Sequence, residues 1–141
     1  MAVGIACSRL ADKHLAEDAA QEAFAIACHR LYSLRDTQRF AEWLGTICRR
    51  TASRMARAQT NGVPIKSEPI SPVNDDYRRR EQVHEALNQL SRSEREIIHL
   101  HYFSGLSYDE VARILGISPQ AVHGRLQRAR RKLAIRIAKP E

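Results

Sequence analysis

The 141-residue chain reads as all-α, with two small helical units joined by a flexible linker. Three observations predict this. Apolar residues recur at helical intervals, with no alternating strand pattern and no internal repeat. Two Ser-x-x-Glu sequences, Ser91-x-x-Glu94 and Ser107-x-x-Glu110, stand at the starts of apolar periodic segments, as capping boxes do. Residues 59–76, QTNGVPIKSEPISPVNDD, hold three prolines and a glycine. Each proline removes a donor and pushes its predecessor out of α geometry.

Residues 2–11 resemble the end of a helix, and residues 12–14 a turn. A helix is expected over about residues 15–32, with Ala20, Phe24, Ala27, Cys28 and Leu31 as its apolar face. Glu17, Asp18 and Glu22 near its start suit the positive end of the helix dipole. Residues 33–39 are polar and read as a loop. A third helix over about residues 38–58 buries Phe40, Leu44, Ile47 and Met55, with Trp43 on the same stripe. After the linker, residues 77–90 place Val83, Leu87 and Leu90 on one face. The helix begun by Ser91 buries Ile97, Ile98, Leu100 and Tyr102, and Gly105 ends it.

Residues 107–137 carry the strongest local pattern. A short helix with Val111, Ala112, Ile114 and Leu115 inward is stopped by Gly116, which takes a left-handed conformation freely. Ile117 plugs the corner, Ser118 is an N-cap, and Pro119 stands where its missing N–H costs nothing. The next helix buries Val122, Leu126, Ala129 and Leu133. This is a helix-turn-helix, whose second helix enters a DNA major groove. Its outward residues are Gln120, His123, Gly124, Gln127, Arg128 and Arg131. Gln can read adenine, and Arg can read guanine or hold a phosphate. From residue 123 to 139 there are seven Lys+Arg and no acid. Solvated helices usually mix signs, so that run favours a polyanion.

The formal charge of +7, from 23 Lys+Arg against 16 Asp+Glu, points the same way. Cys7, Cys28 and Cys48 are odd in number, lack Cys-x-x-Cys spacing, and lie in apolar helical stretches. They are expected to be reduced core residues in a cytoplasmic protein. The apolar start is too short for a signal peptide, and no apolar run approaches the roughly 20 residues that span a bilayer. No phosphate loop, nucleophile–base pair or metal spacing is present, so neither an enzyme nor a cofactor is expected.

The order of these parts resembles bacterial sigma factors of the extracytoplasmic-function group. AEDAAQEAF (residues 16–24) is similar to the start of region 2.2, and RFAEWLGTICRRTASRMAR (residues 39–57) to regions 2.3 and 2.4. LSRSEREIIHLHYFSGLSYDEVARILGISPQAVHGRLQRARRKL (residues 90–133) is similar to region 4. The resemblance implies a region 2-like unit over residues 1–58, a linker over 59–76 and a region 4-like unit over 77–141. It implies that Asp18, Gln21 and Glu22 contact the β′ clamp helices of core RNA polymerase. It implies that Arg49, Arg50, Arg54 and Arg57 meet the −10 element, whose single strand is held by basic grooves and stacking surfaces. Tyr32 and residues 33–39 lie where a flipped base is expected. The implied partners are core polymerase, promoter DNA and an anti-sigma protein.

Four features depart from the family. The chain starts late in region 2, which would leave part of the second and third helices uncovered. Arg50 stands where Asn is common, His123 and Gly124 replace a Lys/Arg–Ser pair, and no C-terminal sensing domain follows. Two other readings fit parts of the sequence. One is a helix-turn-helix regulator acting without polymerase; the other is a shortened interaction protein that cannot initiate. The two halves are expected to move independently about the linker.

Overall fold

A computed structural model describes residues 1–60 and 75–138, and among them seven α-helices and no strand. Helix α1 (Ala2–Arg9) ends where Leu10 turns extended. Asp12 then caps α2 (Lys13–Arg30), its carboxylate accepting from the His14 N–H at 2.8 Å. This cap starts α2 before the apolar periodicity begins. Two short 3-10 turns, Leu31–Ser33 and Thr37–Arg39, lead into α3 (Phe40–Thr60). The expected linker at residues 59–76 lies mostly outside the described residues. Its two ends are helical, because α3 continues to Thr60 and α4 (Asp75–Asn88) begins at Asp75.

Both capping boxes form. Ser91 opens α5 (Arg92–Ile98) and Ser107 opens α6 (Tyr108–Leu115), each with its hydroxyl and its Glu satisfying opposite backbone donors. Helix α5 widens into a π turn over His99–Phe103 and ends at Gly105, whose φ is 69°. Tyr102, expected inside, stands 50% exposed beyond the last buried turn, as Leu100 completes the core. Gly116, at φ 66°, stops α6 before α7 (Pro119–Ile137).

The buried face of α2 differs from the expected one. Ala16, Ala19, Ala20, Ala23 and Ala27 are buried, while Phe24 is 49% and Leu31 53% exposed, and Cys28 faces solvent. Helices α1 and α3 both pack against α2. Axial separation in such contacts follows side-chain size, so the alanine stripe admits both neighbours. In α3, Leu44, Ile47 and Cys48 are buried as the stripe requires, but Phe40 is 42% exposed at its open end. Burial pushes the Cys48 thiol up to about 11. Val83 is 38% exposed, while Leu87 and Leu90 of its stripe are inside.

The halves do not stand apart. Ala2 and Ile5 of α1 and Leu44, Ile47 and Cys48 of α3 share one core with Leu90, Ile97, Ile98, Leu100, Val111 and Ile114. At the seam α3 approaches α6 so closely that a Cβ on Gly45 would lie 2.9 Å from Ile114 Cγ2. The physical reason is size. A unit of about 60 residues buries only about 60% of its unfolded surface. Docking the two supplies apolar burial that neither has alone.

Candidate nucleic-acid interface

The corner between α6 and α7 is built from local bonds. With Gly116 left-handed, the Ile117 N–H reaches the Ala112 carbonyl at 3.1 Å. The Ser118 hydroxyl accepts from the Ala121 N–H at 3.1 Å, and Pro119 occupies the first helical position. Val122, Leu126 and Ala129 are fully buried. That rotation turns Gln120, His123, Gln127, Arg128 and Arg131 outward and leaves Gly124 half-buried. The His123 ring lies 5.8 Å from the Tyr108 ring, which holds it over the start of α6. Arg128 Nη1 lies 3.7 Å from the place a Gly124 Cβ would take.

The basic residues of α7 are not equivalent. Lys132 pairs with Glu94 at 2.7 Å, and Arg130 donates to the Tyr102 hydroxyl. Among the described residues, Arg125, Arg128, Arg131 and Arg136 form no ion pair. Their charge therefore faces outward without an internal partner, which suits a phosphate backbone.

On α3, Arg50, Arg54 and Arg57 share a face at i, i+4 and i+7, and all are exposed. Arg49 lies about 100° around the helix from Arg50. It is not brought together with the other three. Its Nε sits 2.9 Å from Oε1 of Glu96, which is 3% exposed. Arg54 donates to Glu22, so residues expected to meet different partners are paired with each other. Asp18 stands exposed one turn before Glu22 on the same side of α2, and Gln21, also exposed, immediately precedes Glu22.

At the start of α3 lies a cavity of about 430 Å³ whose wall includes Arg30, Arg35, Arg39, Arg50, Glu42 and Trp43. Asp36 shapes its rim by accepting from the Gln38 N–H at 2.9 Å. Arg39 grips both oxygens of Glu42, at 2.8 and 3.1 Å. That hydrogen-bonded pairing raises the guanidinium and lowers the carboxylate, and leaves Arg30, Arg35 and Arg50 as the wall's cations outside the pair. A planar, anionic ligand matches an arginine-lined wall with an indole in it. Tyr32 is 87% exposed in the preceding turn and is not part of the wall.

Sequence reasoning missed Glu42, Arg9 and Glu96, set Tyr102 inside the core, and grouped Arg49 with the other α3 arginines. Glu96 carried little signal: it closes the polar stretch over residues 92–96 and directly precedes the apolar Ile97, Ile98 and Leu100. Among the described residues no three His, Cys, Asp or Glu side chains converge as a metal site, and no helix is long and apolar enough to cross a membrane.

Comparison with known proteins matches residues 1–61 to sigma-70 region 2 and residues 80–133 to sigma-70, region 4. The chain is 32% identical over 142 residues to the probable RNA polymerase sigma factor RfaY of Xanthomonas campestris pv. campestris, covering 92% of this chain but 35% of that protein. It is 30% identical to the ECF RNA polymerase sigma factor EcfG of Rhodopseudomonas palustris, covering 94% of this chain and 76% of that one. Among solved structures it resembles the sigma factor RpoE of Bartonella quintana, determined in complex with the anti-sigma factor NepR. The TM-score is 0.75 at 28% identity, covering 99% of this chain and 91% of that one.

Proposed function

The chain belongs to the sigma-70 family of RNA polymerase sigma factors, and from that premise we propose how its two halves divide promoter recognition. Helix α7 lies in the major groove of the −35 element. Gln120, His123, Gln127 and Arg128 face base edges, and Arg131 faces a phosphate. Gly124 lets the backbone of α7 come close to the duplex.

The face of Arg50, Arg54 and Arg57 follows the opened strand of the −10 element, and the cavity around Trp43 takes one unstacked base of it. Asp18, Gln21 and Glu22 meet the β′ clamp helices of core polymerase, an acidic and amide surface against a basic one. Glu22 gives up Arg54 when it binds there, which frees Arg54 for the strand. The chain catalyses no reaction itself; it selects where core polymerase starts. An anti-sigma protein is the expected regulator, and the cytoplasm the expected compartment.

The observation that carries this reading is the arginine-walled cavity on one half together with an acid-free recognition helix on the other. A regulator working without polymerase needs only the second. Run-off transcription tests it: core polymerase should yield a discrete transcript from a cognate promoter only when this protein is added. Duplex binding without a transcript, and without co-purification with core, would return the chain to the class of stand-alone helix-turn-helix regulators.

A further inference from the structure

We propose that Glu96 is a latch that closes the C-terminal half over the N-terminal half and withholds Arg49 from nucleic acid; this rests on the assignment of the α3 arginines to the −10 strand.

Glu96 belongs to α5, but its carboxylate is spent on the other half. Its Oε1 lies 2.9 Å from Arg49 Nε on α3 and 3.3 Å from Arg9 Nη1 on α1. The Glu96 side chain is 4% exposed and that of Arg9 8%, whereas that of Arg49 is 34% exposed, at the edge of the seam. Arg9 is fastened within its own half, since its Nε donates to Ser53 Oγ on α3 at 2.9 Å. Burial pulls the Arg9 guanidinium below its ordinary value, and Glu96 works against that fall. One buried cation, Arg9, and one partly buried cation, Arg49, therefore face a single carboxylate.

Removing that carboxylate leaves the buried Arg9 guanidinium with no counter-charge and Arg49 beside it at the edge, a cost that parting the seam relieves. The pairing is also poorly aligned. Neither Arg49 Nε nor Glu96 Oε1 has a hydrogen-bond partner of good geometry among the described residues. A phosphate, which accepts two parallel N–H bonds from the planar guanidinium, competes well for an Arg held this way.

A latch has a function here because the closed form cannot read both promoter elements at once. Elements centred about 25 base pairs apart are separated by about 85 Å, at about 3.4 Å per pair. A packed chain of this length has a radius of gyration of about 14 Å. The halves must part on the promoter, and the seam that parts is the one Glu96 holds.

The test uses the full chain with Glu96→Gln, small-angle scattering to read opening, and a labelled single-stranded 12-mer carrying a −10-like sequence to read binding. The variant should expand and bind the 12-mer about tenfold more tightly, the gain expected when a competent state rises from about a tenth of the population to nearly all. Adding Arg49→Ala should remove most of that gain and keep the expansion. Should Glu96→Gln fail to fold, Gly45→Ala serves instead, since its Cβ meets Ile114 Cγ2 at 2.9 Å and wedges the same seam without touching a charge. A variant as compact as the parent overturns the latch and leaves the assignment of Arg49 to DNA standing. A variant that expands with no gain in binding overturns the shielding, and that assignment with it.

Discussion

Helix α2 lies between α1 and α3, and the α6–α7 pair packs against α3, α4 and α5, yet the two regions are built by opposite rules. In α6–α7 the stops are chemical and local: Ser107, Gly116, Ser118 and Pro119 set where each helix begins and ends. The buried side is made of large aliphatics, Val111, Ile114, Val122 and Leu126. In α2 the buried side is five alanines, and the bulkier Phe24, Cys28 and Leu31 are left outside. The lesson is that apolar size predicts burial only where the neighbour has room for it. A helix gripped closely on two sides buries its smallest side chains.

That contrast can be broken most forcefully at Leu126. It is fully buried, so Leu126→Ala should cost about 2–5 kcal/mol and abolish duplex binding, read by thermal unfolding and by DNA titration. Phe24→Ala, a larger truncation on paper, should fall within about 0.5 kcal/mol. Equal losses at the two sites would erase the distinction.

The seam between the N-terminal and C-terminal halves adds a pH lever. His99, beside Gly4 of α1 and stacked 4.9 Å from Phe103, is pushed down to about 4 by burial, with Arg95 and His84 adding to the effect. The unfolded chain holds this imidazole near 6.5. Between those values the unfolded state binds more protons, so stability falls as pH drops from about 6.5 towards about 4. By pH 5 the loss should reach about 2 kcal/mol. Denaturant titrations of the parent and His99→Gln at pH 7 and pH 5 check this, and a drop of equal size in both would assign it to other groups.

The rule for α2 is sharpened by enlarging a buried alanine. Ala23 is fully buried, and Ala23→Leu should cost about 1–3 kcal/mol by overpacking, although it adds apolar surface to a helix. A stabilised variant would mean that α1 and α3 can yield. Smallest are the caps and Gly124. Ser107→Ala should lose about 1 kcal/mol with its bond to the Glu110 N–H. Gly124→Ala should gain about 1 kcal/mol, since nothing nearer than 3.7 Å opposes a Cβ there. Should it stabilise the chain and weaken duplex binding, the glycine is there for close approach to DNA.

The helix-turn-helix was readable because each of its signals acts within four residues of itself. The glycine at 116, the cap at 118 and the buried spacing of 122, 126 and 129 need no distant partner, so the outward set from Gln120 to Arg131 followed from them. The arginines of α3 were readable as residues but not as a group. Helical spacing alone already separates Arg49 from Arg50, Arg54 and Arg57, yet no local feature says that Arg49 turns to Glu96, 47 positions away. The family resemblance put a base pocket at Tyr32 and residues 33–39, and the stripe put Trp43 in the core. That Trp43 lines the cavity, that the Arg39–Glu42 pair stands in its wall and that Tyr32 is outside it were not legible.

By itself, then, the sequence determined the order of the helices, the capped ends around α5, α6 and α7, and the basic face of α7, because capping, left-handed glycine and helical periodicity are short-range effects. Only the tertiary structure decided which side of α2 is inside, that two units of marginal size share one core, and that a buried glutamate binds one half to the other. Those outcomes depend on the distance between axes and on charges brought together by folding, and no window of adjacent residues contains either quantity.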